Sequence, residues 1–286
     1  MFSGLFTAII TPFDKNENFD EKSFEKIIQN QIAAGVDGIV VAGTTGESPT
    51  ISAAEREKMI RLAKNRAGKN QKIIAGTGGN DTKKVVEKTR AAQKAGADAA
   101  LVVAPFYNKP TPAGLFLHFE KIAKSTPDFP ILLYDVPGRT GVKIAAETTI
   151  ALSKIPNIVG IKIATGNLDD TKNLVGKVPA DFSILSGDDD LTVKIIKNGG
   201  HGVISVASNL KPVEMKKMID AAISGNFKIA DAENEKMKSF FAACFWESNP
   251  IPIKFLMTEK GFCQKVFRLP MCPPTPETAE KLKTFL

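Results

Sequence analysis

One pattern constrains this chain more than any other: a short apolar run followed by a helical stretch, repeated eight times. The apolar runs fall at 5–13, 38–43, 73–78, 99–106, 130–137, 158–165, 182–189 and 202–208. Most are rich in β-branched residues and nearly continuous in apolar character, as a strand buried on both faces must be. The stretches between them change period. Residues 20–34 place Phe24, Ile27, Ile28 and Ile32 at helical spacing. Ser52 with Glu55 has the Ser-x-x-Glu spacing of a capping box, and Asn80 is placed to cap the helix over 80–94. Further helices are predicted at 112–125, 146–154, 168–175, 189–197 and 211–223.

Parallel strands joined by helical crossovers give an α/β protein, and eight such units are the number that closes a (β/α)8 barrel. An open doubly wound sheet is the alternative, but it usually carries a glycine-rich turn after the first strand. Here that strand runs into TPFDKN. The alternation covers residues 1–224. Residues 225–286 instead predict three helices, broken by NPIP (249–252) and by RLPMCPPTP, forming a C-terminal helical extension on the barrel. A length of 286 residues suits one barrel with such an extension.

Composition narrows the function classes. No apolar run approaches the ~20 residues of a membrane-spanning helix, and MFSGLFTAIITPFD lacks the basic start of a signal peptide. Three cysteines without CxxC spacing predict reduced thiols and a cytoplasmic protein. With only two histidines, far apart, no metal site is expected. The net charge of +7 comes from scattered lysines rather than a basic arm interleaved with aromatics, so no nucleic-acid partner is expected.

Barrel enzymes carry their reactive groups at the C-terminal ends of the strands. Lys162 meets that condition inside the apolar run IVGIKIAT. With a two-residue period, Ile161 and Ile163 face the outer helices, while Lys162 faces the barrel interior with Gly160 and Ala164. Desolvation lowers the pKa of a buried amine, and a neutral amine is what a carbonyl substrate needs to form a Schiff base. A salt-bridged core lysine is the competing explanation. The chain has two tyrosines against eighteen phenylalanines, so each hydroxyl calls for a reason; Tyr107 and Tyr134 both fall at strand ends, where a phenol can relay protons. GTTGE (43–47) offers backbone N–H groups and two hydroxyls for a small carboxylate. Arg139 adds a donor fork for a second carboxylate, and Gly187 allows close backbone approach.

Taken together, GTTGE, PFYNKP (105–110), YDVPGRTG (134–141), GIKIATGN (160–167), LSGDD (185–189), GGHGVISV (199–206) and NPIPIK (249–254) resemble the dihydrodipicolinate synthase (4-hydroxy-tetrahydrodipicolinate synthase) family, within the pyruvate-dependent class I aldolase superfamily. The motifs occur in order over about residues 4–270. The resemblance implies a barrel subunit in a homotetramer, condensing pyruvate with L-aspartate 4-semialdehyde in the first committed step of lysine and diaminopimelate synthesis, with no cofactor. By matching position, Lys162 would form the Schiff base and Tyr134 would donate and accept the proton. Thr45 would pass it on, and Tyr107 of a neighbouring subunit would complete the relay. Thr44 and Thr45 would hold the pyruvate carboxylate and Arg139 that of the semialdehyde, with Gly187 and Ile204 lining the pocket.

The chain departs from the family at several positions. Ile163 stands where an acidic residue is usual, and Asp135 where asparagine is. In lysine-sensitive relatives an allosteric cleft uses a carboxylate at the position of Lys84 and a tyrosine at that of Phe106; Ser48 and Asn80 match. Weak or absent inhibition by lysine is therefore expected. The alternatives are another pyruvate-dependent aldolase, such as N-acetylneuraminate lyase or a keto-deoxy sugar acid aldolase, and a catalytically silent barrel acting as a binding protein. Arg139 and PFYNKP favour the synthase.

Overall fold

The computed structural model describes residues 1–286. Eight parallel strands close on themselves in sequence order: β1 (Gly4–Ala8), β2 (Gly38–Val41), β3 (Lys72–Gly76), β4 (Ala99–Val103), β5 (Ile131–Asp135), β6 (Ile158–Ile163), β7 (Ser183–Ser186) and β8 (Gly202–Ser205). Closure is made by β8 against β1, with Phe6 opposite Ile204 and Thr7 opposite Ser205. Side-chain alternation divides the strand residues into two apolar clusters. Phe6, Val40, Ile74, Leu101, Leu132, Tyr134, Leu185 and Ile204 fill the barrel interior. Their neighbours, including Ile39, Ile73, Ile161, Ile163 and Ile184, join the larger cluster beneath the helices. The predicted facing of β6 is therefore observed. The strands are shorter than their apolar runs, and residues 9–13, 104–106 and 206–208 lie beyond the strand ends, at the C-terminal rim of the barrel.

The helices are α1 (Glu21–Ala33), α2 (Ala53–Arg66), α3 (Thr82–Lys94), α4 (Pro112–Ser125), α5 (Pro137–Thr140), α6 (Ala146–Leu152), α7 (Asp169–Lys172), α8 (Thr192–Lys197), α9 (Pro212–Ile223), α10 (Phe227–Ala243), α11 (Ile251–Glu259) and α12 (Pro276–Leu282). The capping box at Ser52 and Glu55 forms as expected. Asn80 does not cap α3. Its neighbour Asp81 does, accepting from the Lys83 and Lys84 N–H groups, while the Asn80 carbonyl is taken by the Asn108 side chain.

One predicted helix contracts and another opens with a tighter turn. The stretch 168–175 keeps a single turn, α7, before Gly176 takes a left-handed φ of 76°. The stretch 189–197 is helical as expected, a 3-10 turn over Asp189–Leu191 running into α8, and the buried Asp189 carboxylate accepts the Val206 and Ala207 N–H groups, tying that turn to the barrel rim. The one-turn α5, which carries Arg139, leaves no mark in the apolar periodicity.

The three C-terminal helices, α10 to α12, lie where the sequence places them. Met237, Phe240, Phe255 and Leu256 belong to the same apolar cluster as the barrel's outer face, so the core runs without a break from barrel to extension. A buried ion pair adds to this. Lys254 of α11, fully buried, bonds the Glu47 carboxylate of the loop after β2, and its ammonium sits 4.2 Å from the Phe13 ring centroid. No helix is long and apolar enough to cross a membrane.

Candidate active site

Only two lysines are buried, Lys162 and Lys254. The fold treats them oppositely. Burial pulls the Lys254 amine below its ordinary value and Glu47 pulls it back, the balance of a structural pair. Lys162, 5% exposed, has no carboxylate within ion-pair distance. It lies directly opposite Tyr134 in the β5–β6 ladder, and its ammonium stands 4.4 Å from the Tyr134 ring centroid.

The space around Lys162 is made by small residues. A methyl group added at Gly187 would come within 2.8 Å of Lys162 Cε and 2.6 Å of Ala164 Cβ, so a side chain there would displace the lysine. A methyl at Gly160, one turn of the pleat below, would meet the Ser183 carbonyl at 2.6 Å. The result is a cavity of about 80 Å³, room for a molecule of a few heavy atoms, bounded by Lys162, Tyr134, Thr44, Thr45, Arg139, Gly187 and Ile204. All the expected catalytic-pocket residues meet there except one. Tyr107 is 88% exposed and does not line this chain's own pocket. It occupies a tight turn, with φ of 73° and a bond from the Asn108 N–H to the Phe106 carbonyl of 2.9 Å. Such a conformation costs a non-glycine residue about 1–3 kcal/mol.

The GTTGE loop turns tightly. Ala42 and Glu47, at its two ends, both take left-handed φ, 52° and 55°. The N–H groups of Gly46 and Glu47 close the turn onto the Gly43 and Thr44 carbonyls, leaving those of Thr44 and Thr45 without an acceptor in the chain. Arg139, exposed and paired with no carboxylate, is held by its Nη2, which donates to the Asn249 carbonyl at 3.0 Å. Asp188 also lines the cavity. Burial pushes its carboxyl up, against the Gly166 N–H and the Lys162 charge, which pull it down.

A larger cavity of about 350 Å³ adjoins the first and shares Thr44, Val136 and Arg139 with it. Ser48, Asn80, Lys84 and Phe106, expected as an allosteric cleft, all line it. So do Arg56 and Lys88, while Asp81 supplies its one carboxylate. Arg56 is buried against the Ala42 and Gly76 carbonyls, and desolvation lowers its pKa to about 10.

Sequence reasoning assigned no role to Asn249, Glu47, Lys254 or Asp188, although all four lie in the quoted motifs. Lys254 carried the same signal as Lys162, a lysine in an apolar stretch, here IPIKFLM. Asn249 carried none, because its partners Thr45 and Arg139 are 204 and 110 residues distant. No group of three His, Cys, Asp or Glu side chains is arranged as metal ligands would be.

The chain as a whole is similar to proteins of one family. The 4-hydroxy-tetrahydrodipicolinate synthase of Protochlamydia amoebophila is 43% identical over 286 residues, covering 99% of this chain and 95% of the relative. The crystal structure of dihydrodipicolinate synthase from Aquifex aeolicus superposes with a TM-score of 0.96 at 43% identity, covering 99% of this chain and 97% of that one. The chloride-inhibited dihydrodipicolinate synthase from Acinetobacter baumannii, complexed with pyruvate, gives a TM-score of 0.97 at 40% identity, over 99% of this chain and 97% of that one. The model of the dihydrodipicolinate synthetase family matches residues 1–286, and the chain belongs to that family.

Proposed function

We propose that this chain is a 4-hydroxy-tetrahydrodipicolinate synthase, condensing pyruvate with L-aspartate 4-semialdehyde through a Schiff base on Lys162, in the cytoplasm. The observation that carries this is the contrast between the two buried lysines: Lys254 is neutralised by Glu47, whereas Lys162 faces a small cavity with no carboxylate within ion-pair distance. An amine so placed attacks the pyruvate carbonyl, and loss of water gives an iminium. The iminium withdraws electrons from the methyl carbon, which loses a proton to become an enamine, and the enamine attacks the aldehyde carbon. The iminium is itself the electron sink, so the scheme calls on no metal or added cofactor.

The remaining residues have roles consistent with their placement. The unpartnered Thr44 and Thr45 N–H groups suit the pyruvate carboxylate. Tyr134 is the acid–base group beside the lysine, and Thr45 receives its proton. Arg139, fixed at the mouth by the Asn249 carbonyl, takes the carboxylate of the amino-acid aldehyde. Gly187 and Ile204 shape the wall. Tyr107 serves the pocket of a second copy within a homotetramer, which accounts for a bulky phenol held outward on a strained turn. The cleft lined by Ser48, Asn80, Lys84 and Phe106 is a poor receptor for lysine, since four cations line it against one carboxylate.

The test is intact mass after borohydride reduction with pyruvate. Wild type gains one reduced pyruvate adduct and Lys162→Ala gains none. The acceptor is then assigned by turnover with L-aspartate 4-semialdehyde against a hydroxylated sugar aldehyde; preference for the sugar would make the chain a sugar-acid aldolase. No adduct on wild type would sink the Schiff-base mechanism.

A further inference from the structure

Asn249 lies in the connection between α10 and α11, 5% exposed, on the wall of the Lys162 cavity. Its side chain donates from Nδ2 to Thr45 Oγ1 at 3.1 Å. Its backbone carbonyl accepts from Arg139 at 3.0 Å. Its Oδ1 is buried with no partner. An orphaned buried acceptor costs about 1–3 kcal/mol. A fold optimised only for stability would place an apolar residue here, so the other end of the amide has a use that offsets the cost.

That use follows from hydroxyl chemistry. A threonine hydroxyl has one proton to donate and two lone pairs to receive with. When the Asn249 amide donates to one lone pair, the Thr45 proton cannot point at Asn249. It is left free to turn into the cavity, which Tyr134 also lines, and the second lone pair stays open to a proton arriving from there. We infer that Asn249 is a positioning residue that sets the direction in which Thr45 passes a proton, while its carbonyl fixes Arg139 at the pocket mouth. This rests on the Schiff-base mechanism above and deepens it. It also explains why the loop is supported from the α11 segment at two points, Asn249 on Thr45 and Lys254 on Glu47.

Two variants test it on the full-length protein, with kinetics, borohydride trapping and thermal melting measured on each. Asn249→Ala removes both the donor and the orphaned acceptor. Its kcat is expected to fall about 10- to 100-fold, the scale of a mispositioned catalytic group, with the KM for pyruvate little changed. Pyruvate trapping stays complete and the melting temperature does not fall. Asn249→Asp keeps the shape but, when ionised, can only accept, which turns the Thr45 proton the wrong way. It is expected to be slower than Asn249→Ala at neutral pH and to recover as the pH falls and the carboxyl gains a proton to donate. Full kcat in Asn249→Ala would overturn the proposal. So would a rate loss matched by equal losses of trapping and melting temperature, or Asp and Ala variants with the same pH profile. Wild type that traps no pyruvate overturns both this and the parent mechanism; trapped wild type with a fully active Asn249→Ala overturns only the role of Asn249.

Discussion

Asp135 is a carboxylate in a place that resists charge. It ends β5, 2% exposed, with Oδ1 accepting the Ile144 N–H at 3.0 Å. Across the ladder it faces Ile163. Lys143 is engaged by Asp170 and offers Asp135 little relief. Burial pushes the carboxyl from 3.8 up to about 6, against the Ile144 hydrogen bond and the Lys143 charge. The folded protein thus holds this proton more tightly than the unfolded chain. Stability is unaffected below about pH 4, declines between about pH 4 and 6, and is fully depressed above that. At ~1.36 kcal/mol per pH unit of difference, the depression reaches about 3 kcal/mol at neutral pH. An amide in place of this carboxyl would keep the carbonyl acceptor and never ionise. Asp135→Asn is therefore expected to be about 3 kcal/mol more stable than wild type at pH 7.5, and to lose most of that advantage by pH 4.5. Urea unfolding at both pH values, at one protein concentration, measures the two differences. A gain of equal size at both, or a loss at pH 7.5, would refute the reasoning.

Four further outcomes follow from the site. Gly187→Ala drives a methyl into Lys162 Cε, so pyruvate trapping should slow by about 100-fold, the scale of displacing a reacting group, while melting changes little; undiminished trapping would mean that the lysine does not depend on the space beside Gly187. Lys254→Met leaves Glu47 buried and unpaired, which costs about 3–5 kcal/mol; calorimetry should show the loss, and Lys254→Met with Glu47→Leu should recover most of it. L-lysine should not inhibit at micromolar concentration, because Lys84, Lys88, Arg56 and Arg139 surround the cleft; a micromolar inhibition constant would contradict this. Mixing inactive Lys162→Ala and Tyr107→Ala chains under conditions of subunit exchange should restore activity, since hybrids regain pockets holding both groups; no recovery despite proven exchange would place Tyr107 outside the mechanism.

What the sequence made legible was what repeats locally. Strand alternation has a period of two, so the inward face of Lys162 followed from Ile161 and Ile163 alone. Strand ends predict the rim of a barrel, so Thr45, Tyr134, Arg139 and Gly187 fell into one pocket. Short helices were read less evenly: 168–175 keeps one α-helical turn, and 189–197 opens with a 3-10 turn because the Asp189 carboxylate is tied to the backbone of residues 206 and 207. Partnerships across the chain left no local trace. Nothing near Lys254 shows that Glu47, 207 residues earlier, neutralises it, and this pairing is what separates a structural lysine from a reactive one. The two departures at Asp135 and Ile163 looked independent in sequence. The register sets them side by side, so the same strand pair carries both changes.

The clamp from the α11 segment also bears on the order in which the GTTGE loop gains its supports during synthesis. All eight strands have been made once Ser205 is joined, and Lys162, Tyr134 and the GTTGE loop already exist by then. The groups that steady that loop do not. Asn249, Lys254 and Arg268, whose N–H reaches the Glu47 carboxylate at 3.2 Å, arrive only in the last stretch of chain. The loop is thereby steadied only after the barrel strands exist: a nascent chain holds Lys162 and Tyr134 well before it holds the residues that brace the GTTGE loop.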